Sequence, residues 1–112
     1  GLPESAPADL EIDVPLAAAA RQGFRVIDIR GAEEIEATPL PVEIVLACAG
    51  DRLLAEANTL LEPAVDYLVV CARGVRSLAV VERLRAAGHA RVHSLARGAS
   101  GQAQAARPFA SP

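Results

Sequence analysis

Apolar and polar positions in this chain follow two periods in turn. Short continuous apolar runs read as strands covered on both faces, and the stretches between them, with apolar residues three and four apart, read as helices. Tyr67–Val70 is the clearest buried strand, and Phe24–Arg30, Val42–Ala47 and Arg91–Leu95 read the same way. Leu10–Val14 alternates apolar with acidic residues and suits a short edge strand. A helix is predicted over Leu16–Gln22, with Pro15 in its first turn and Gly23 as its stop. A second is predicted over Arg52–Leu61, capped by Asp51, with Leu53, Leu54, Ala57, Leu60 and Leu61 on one apolar face and Pro63 ending it. A third is predicted over Leu78–Ala87, with Ser77 at its N-terminus, Val80, Val81, Leu84 and Ala87 at helical spacing, and Gly88-His89 closing it. Gln102–Arg107 completes a short last helix. Strands alternating with helices predict an α/β sandwich around a mostly parallel sheet.

The strand Tyr67–Val70 runs into Cys71-Ala72-Arg73-Gly74-Val75-Arg76-Ser77 and then a helix. Cys71 is thereby placed at the carboxyl end of a strand with a helix N-terminus facing it, the crevice in which open parallel sheets bind their ligands. A free thiol, with a pKa of about 8.5, is mostly protonated at neutral pH, and only its thiolate attacks. Helix-terminal amides and nearby guanidinium groups favour that thiolate. Successive N–H groups in a short loop also form a nest for an anion. Gly74 lets the chain curl, and Arg73 and Arg76 are forked cations suited to a tetrahedral oxyanion. On its own Cys71 reads as a small core residue; the whole string tips the reading to a reactive thiol.

Cys71-Ala72-Arg73-Gly74-Val75-Arg76-Ser77 resembles the active-site loop of the rhodanese-like sulfurtransferases. Val26-Ile27-Asp28-Ile29-Arg30 is similar to that family's V-I-D-V-R segment, and Glu33-Glu34 to its acidic continuation. Ala86-Ala87-Gly88-His89-Ala90-Arg91-Val92 is similar to its A-A-G-F-x-x-V segment. Two places depart from the family. Thr38-Pro39-Leu40-Pro41 replaces an H-I-P-G-A turn, and Arg97-Gly98-Ala99-Ser100-Gly101 keeps one glycine of a G-G-I-x-x-W turn and lacks its tryptophan. The resemblance implies a rhodanese-like three-layer sandwich with a five-stranded, mostly parallel sheet flanked by helices. It implies a sulfurtransferase or persulfide carrier in which Cys71 accepts a sulfane sulfur and passes it on, with Ala72, Arg73, Gly74, Val75, Arg76 and Ser77 binding the donor. The partners it implies are an anionic sulfur donor, such as thiosulfate or a protein persulfide, and an acceptor that is a thiol or a sulfur-carrier protein. Neither a cofactor nor a metal is implied.

Loop length separates this reading from a rival. Cys71 to Arg76 is C-x4-R, whereas protein tyrosine phosphatases, and the phosphatases that share the rhodanese fold, carry C-x5-R; position 77 is Ser77. A phosphatase or arsenate reductase therefore ranks below a sulfurtransferase. A non-catalytic rhodanese-like binding module is the other alternative, against which the retained Cys71 argues. The Gly74-Val75-Arg76-Ser77 ending also resembles rhodanese domains fused behind E1-like adenylyltransferases of thiamine and molybdopterin synthesis. Asp28 and Arg30, charged residues near a buried strand, read as a structural ion pair. Cys48, at the end of a strand, reads as a core residue.

Composition narrows the remaining choices. The 112 residues suffice for one domain, here placed at 10–107 between a linker or expression remnant (1–9) and a frayed tail (108–112). Hydrophobic residues make up 52% and charged residues 22%, a globular composition. No apolar run approaches the length of a membrane span, and two cysteines outside any disulfide pattern suit the cytoplasm. Aromatics at 3% leave no stacking platform for nucleic acid. His89 and His93 lack a third ligand, which argues against a metal. The net charge of −3 is unevenly spread: residues 1–66 carry 4 Arg against 13 Asp and Glu, and residues 67–112 carry 7 Arg against 1 Glu. The cysteine loop lies in the basic half, which attracts anionic donors or an acidic partner. The lack of any methionine suggests a piece of a longer protein.

Overall fold

The computed structural model describes residues 10–102. In chain order these residues form β1 (Glu11–Ile12), α1 (Leu16–Arg21), β2 (Arg25–Asp28), α2 (Ala32–Ala37), β3 (Ile44–Ala47), α3 (Gly50–Ala55), α4 (Ala57–Leu60), β4 (Tyr67–Val70), α5 (Val75–Ala86) and β5 (Val92–Leu95). The five strands make one sheet in the order β1-β5-β4-β2-β3, and every neighbouring pair is parallel. This is the α/β architecture the alternating periods predict, and the parallelism is complete.

β4 lies at the centre, paired with β2 on one side and β5 on the other. All four of its residues are buried, which is why its sequence is an unbroken apolar run. Its side chains alternate between two cores. Tyr67 and Val69 join Ile27, Leu53, Ala57, Leu61, Val81 and Leu84 beneath α3, α4 and α5. Leu68 and Val70 join Leu16, Ala19, Val26, Leu95 and Ala99 on the opposite face. The sheet is thus the middle of three layers. Leu68 is fully buried, and truncating such a residue to alanine costs about 2–5 kcal/mol. No helix among the described residues is long and apolar enough to cross a membrane.

Several local expectations change. The edge strand within Leu10–Val14 shortens to Glu11–Ile12, which pairs with Ser94 and Leu95. The helix predicted over Arg52–Leu61 is two helices, because Glu56 leaves the helical region at φ −116°, ψ 19°. Asp51 stands in the first turn of α3 rather than capping it; Ala49 holds the cap position without a side-chain bond. The third helix starts at Val75, not after Ser77, since Gly74 supplies the left-handed cap residue. It ends as predicted, with the His89 amide bonded to the Leu84 carbonyl and the Gly88 amide to Arg85. The last helical turn begins at 98, earlier than Gln102, and residues 103–107 of that expectation lie outside the described range, as do the expected linker and tail.

Asp28 and Arg30 form the expected ion pair at the end of β2. Arg30 Nε lies 3.0 Å from Asp28 Oδ1 and Nη2 lies 2.9 Å from Oδ2, with both side chains almost wholly buried. The Arg30 amide also donates to Oδ1 at 3.1 Å, and Arg30 Nη1 to the Glu34 carbonyl at 3.3 Å. The fork therefore fastens the strand end to α2.

Candidate functional site

Cys71 directly follows β4, and its thiol lies inside the turn that leads to α5. The chain reverses there because Gly74 takes φ 91°, a left-handed conformation that favours glycine. A side chain at Gly74 would also come within 2.8 Å of the Arg97 amide nitrogen. The turn after β5 packs against the loop from outside. The Ala99 amide donates to the Cys71 carbonyl and the Ser100 amide to the Ala72 carbonyl, each at 2.9 Å.

Three groups of the loop converge on the sulfur. The amides of Gly74 and Ser77 lie 3.1 and 3.2 Å from Cys71 Sγ, and the Ser77 hydroxyl lies 3.3 Å from it. Burial opposes ionisation of this thiol, whose residue is 1% exposed. Hydrogen bonding with the Ser77 hydroxyl, and from the amides of Ser77, Arg73 and Gly74, outweighs burial and holds its pKa below the ordinary thiol value. The Ser77 hydroxyl is fixed in turn by Ser94 on β5, with the two oxygens 2.7 Å apart.

Ser77 is therefore a buried partner of the sulfur and not a helix cap. Sequence reading missed Ser94. Its only signal was a serine within an otherwise apolar strand end, and it meets Ser77 because parallel pairing sets β5 beside β4.

The remaining loop residues face outward. Ala72 is half-buried, Arg73 is exposed, and Val75 is 74% exposed. Arg76 is half-exposed and bonds through Nη2 to both carboxylate oxygens of Glu34, at 3.1 and 3.3 Å. Glu34 also accepts the Gly31 amide at 2.9 Å, and these bonds hold its carboxyl below the usual range. Beside the loop lies an open cleft of about 780 Å³ whose lining includes Ile29, Cys48, Leu54, Arg76, Val80 and Arg83. Cys71 does not line it. Cys48 is half-buried, and burial raises its thiol pKa.

His93 contacts Arg85 and packs edge-on against Phe24 at 5.3 Å between ring centres. The groups on Cys71 Sγ are amides and a hydroxyl, so the loop favours the thiolate through hydrogen bonding to the charged form. Among the described residues, no three His, Cys, Asp or Glu side chains form a group able to hold a metal ion.

No family model and no curated protein sequence matches the chain. Solved structures do. A rhodanese-related protein from Thermoplasma volcanium is 23% identical, with 83% of this chain and 91% of that one covered and a TM-score of 0.67. A rhodanese homologue from Thermus thermophilus is 28% identical over 74% of this chain and 87% of its own, with a TM-score of 0.57. A protein of unknown function from Rhodopseudomonas palustris, described as a possible tyrosine phosphatase, is 19% identical over 91% and 86%, with a TM-score of 0.68. The parallel sheet and these likenesses together show that the chain has the rhodanese-like fold.

Proposed function

We propose that the domain is a sulfurtransferase that carries sulfur as a persulfide on Cys71. The observation that carries this reading is the convergence of the Gly74 and Ser77 amides and the Ser77 hydroxyl on Sγ. Those donors favour a thiolate and would serve equally for the terminal sulfur of a persulfide, which is also anionic. The thiolate attacks the outer sulfur of thiosulfate; a new S–S bond forms to Cys71, the donor's S–S bond breaks, and sulfite departs with the electron pair. A protein persulfide reacts in the same sense, with a thiolate as leaving group. Arg76 and Arg73, on the outer side of the loop, bind the anionic donor. Cyanide or a thiolate acceptor then removes the outer sulfur and regenerates the Cys71 thiolate. No cofactor enters this cycle.

A phosphatase on the same fold has one observation in its favour, the description of the Rhodopseudomonas structure. The six-residue span from Cys71 to Arg76 counts against it, being one residue shorter than the phosphate-cradling loop. Mass spectrometry after incubation with thiosulfate, and separately with a protein persulfide, tests the proposal. A gain of one sulfur that cyanide reverses, retained in Cys48→Ser and lost in Cys71→Ser, is expected. No adduct from either donor overturns the sulfurtransferase reading in favour of a binding module, and release of phosphate from an aryl phosphate would restore the rival.

A further inference from the structure

Arg76 is one of the two loop cations assigned above to the anionic donor, and it is already engaged by a carboxylate from elsewhere in the chain. Glu34 stands 42 positions away in sequence, on α2, yet both of its oxygens lie within hydrogen-bond distance of Arg76 Nη2. The Gly31 amide holds the same carboxylate from the other side, so Glu34 is anchored at the start of its helix. Arg30, whose charge reaches Glu34, is committed to Asp28 and does not compete for the position. Both carboxylate oxygens bond one guanidinium nitrogen, Nη2, so Glu34 takes one arm of the fork that two oxygens of a sulfonate or sulfate would use.

We propose that Glu34 is a specificity residue of the sulfur-transfer site, an internal anion that a donor such as thiosulfate must displace from Arg76. This rests on the sulfurtransferase reading for its biological meaning, but not for its test. The carboxylate biases the loop against small free dianions and towards alkyl persulfide donors that bring no second anionic group to Arg76. The pair is half-exposed, so its effect is modest: an exposed ion pair changes an equilibrium by a factor of about two to five.

The experiment compares wild type, Glu34→Gln, Arg76→Gln and the double variant, all carrying Cys48→Ser. Glu34→Gln keeps an acceptor for the Gly31 amide while removing the charge. Alkylation of Cys71 by iodoacetate, which is anionic, is measured against neutral iodoacetamide; the ratio of the two rates reports the field at the sulfur whatever the natural donor. Glu34→Gln is expected to raise that ratio about two- to five-fold. Arg76→Gln should lower it, and the double variant should match Arg76→Gln. With thiosulfate as donor, KM should fall by a similar factor in Glu34→Gln while kcat stays within error. An unchanged ratio in Glu34→Gln, or an equal rise in the double variant, overturns the inference even where the Cys71 persulfide forms normally. Conversely, the expected ratios without any persulfide would uphold Glu34's control of Arg76 and remove only the sulfurtransferase reading.

Discussion

Ser77 reaches Cys71 twice. Its amide nitrogen lies 3.2 Å and its hydroxyl oxygen 3.3 Å from Sγ, and the same hydroxyl lies 2.7 Å from the hydroxyl of Ser94. One residue in the first turn of α5 therefore bonds the sulfur and ties it to the neighbouring strand. Ser77→Ala keeps the amide and removes the hydroxyl. The Cys71 pKa should rise, since a bond that favours the thiolate is lost. Sulfur loading at neutral pH should slow about ten-fold, the size of effect expected for one hydrogen bond to a charged group. The buried Ser94 hydroxyl also loses its partner, so stability should drop by about 1–3 kcal/mol. Stopped-flow loading and urea denaturation measure the two effects. A Ser94→Ala variant that loses stability but loads sulfur within about three-fold of wild type would confirm that the first-hand contact is Ser77's.

The two thiols should separate on a pH axis. Hydrogen bonds hold Cys71 below the ordinary thiol value and burial raises Cys48 above it, so their iodoacetamide profiles should have midpoints on opposite sides of a free thiol's. The same shift of Cys71 makes a stability prediction. Between the folded and the unfolded pKa of Cys71, the unfolded chain still holds the proton that the native state has released, so stability rises with pH there. That contribution is complete above the unfolded value and is lost as pH falls through the folded one. The stability of Cys48→Ser to denaturant should therefore rise with pH across this window relative to the Cys48→Ser, Cys71→Ser double variant, and parallel curves would refute the sign.

The contrast between Cys71 and its helpers shows what the sequence made legible. A strand-end cysteine ahead of glycine and two arginines is a local pattern, and the sheet and the loop follow from local periodicity. What escaped is non-local. Ser94 and Glu34 lie 17 and 42 positions from their partners, and neither pairing leaves a mark in sequence spacing. A serine before an apolar helix looks like a cap, and for Ser77 that part of the reading fails. Gly74 at φ 91° already starts the helix and turns Ser77 inward. The break at Glu56 was hidden for a related reason: apolar spacing continues through it, so periodicity reports one helix where the backbone makes two.

The turn after β5 gives a sharper mutational contrast. Gly98 has φ 58°, and a side chain there would come within 2.2 Å of the Cys71 carbonyl oxygen and 2.7 Å of the Ala72 carbonyl carbon. These are backbone atoms that a rotamer change cannot move. Gly98→Ala should displace the loop, abolish persulfide formation and lower Tm by about 10 °C or more. Arg97 has φ 63° and holds its left-handed conformation with a side chain, paired to Asp13 on the surface. Relief of the left-handed penalty, about 1–2 kcal/mol, exceeds the added chain entropy of glycine, about 0.5–1 kcal/mol. Arg97→Gly is therefore expected to be neutral to stabilising by about 1 kcal/mol, and loss of more than that in thermal unfolding would show that the Asp13 pair matters.

The buried pair of Asp28 and Arg30 stands at the end of β2, beside the end of β4, and its removal should be strongly non-additive. Each side chain is almost wholly enclosed, and Asp28 takes three of its bonds from Arg30 alone at 3.1 Å or less. Removing one partner strands the other charge in the interior, which typically costs about 3–5 kcal/mol. Arg30→Met leaves an unpaired aspartate, and Asp28→Asn leaves an arginine whose fork loses its charged acceptor. Removing both charges exchanges a desolvated ion pair for neutral groups, a change often close to neutral in other proteins. Urea midpoints for the two single variants and the double variant should therefore give a coupling of about 2 kcal/mol or more. Because Arg30 also bonds the Glu34 carbonyl at 3.3 Å, the single variants should loosen the start of α2 as well. The iodoacetate-to-iodoacetamide ratio at Cys71 should then rise with the loss of stability, as is expected when the Glu34 carboxylate is removed. A double variant as unstable as the sum of the singles would mean that Asp28 and Arg30 act separately, against the fork geometry.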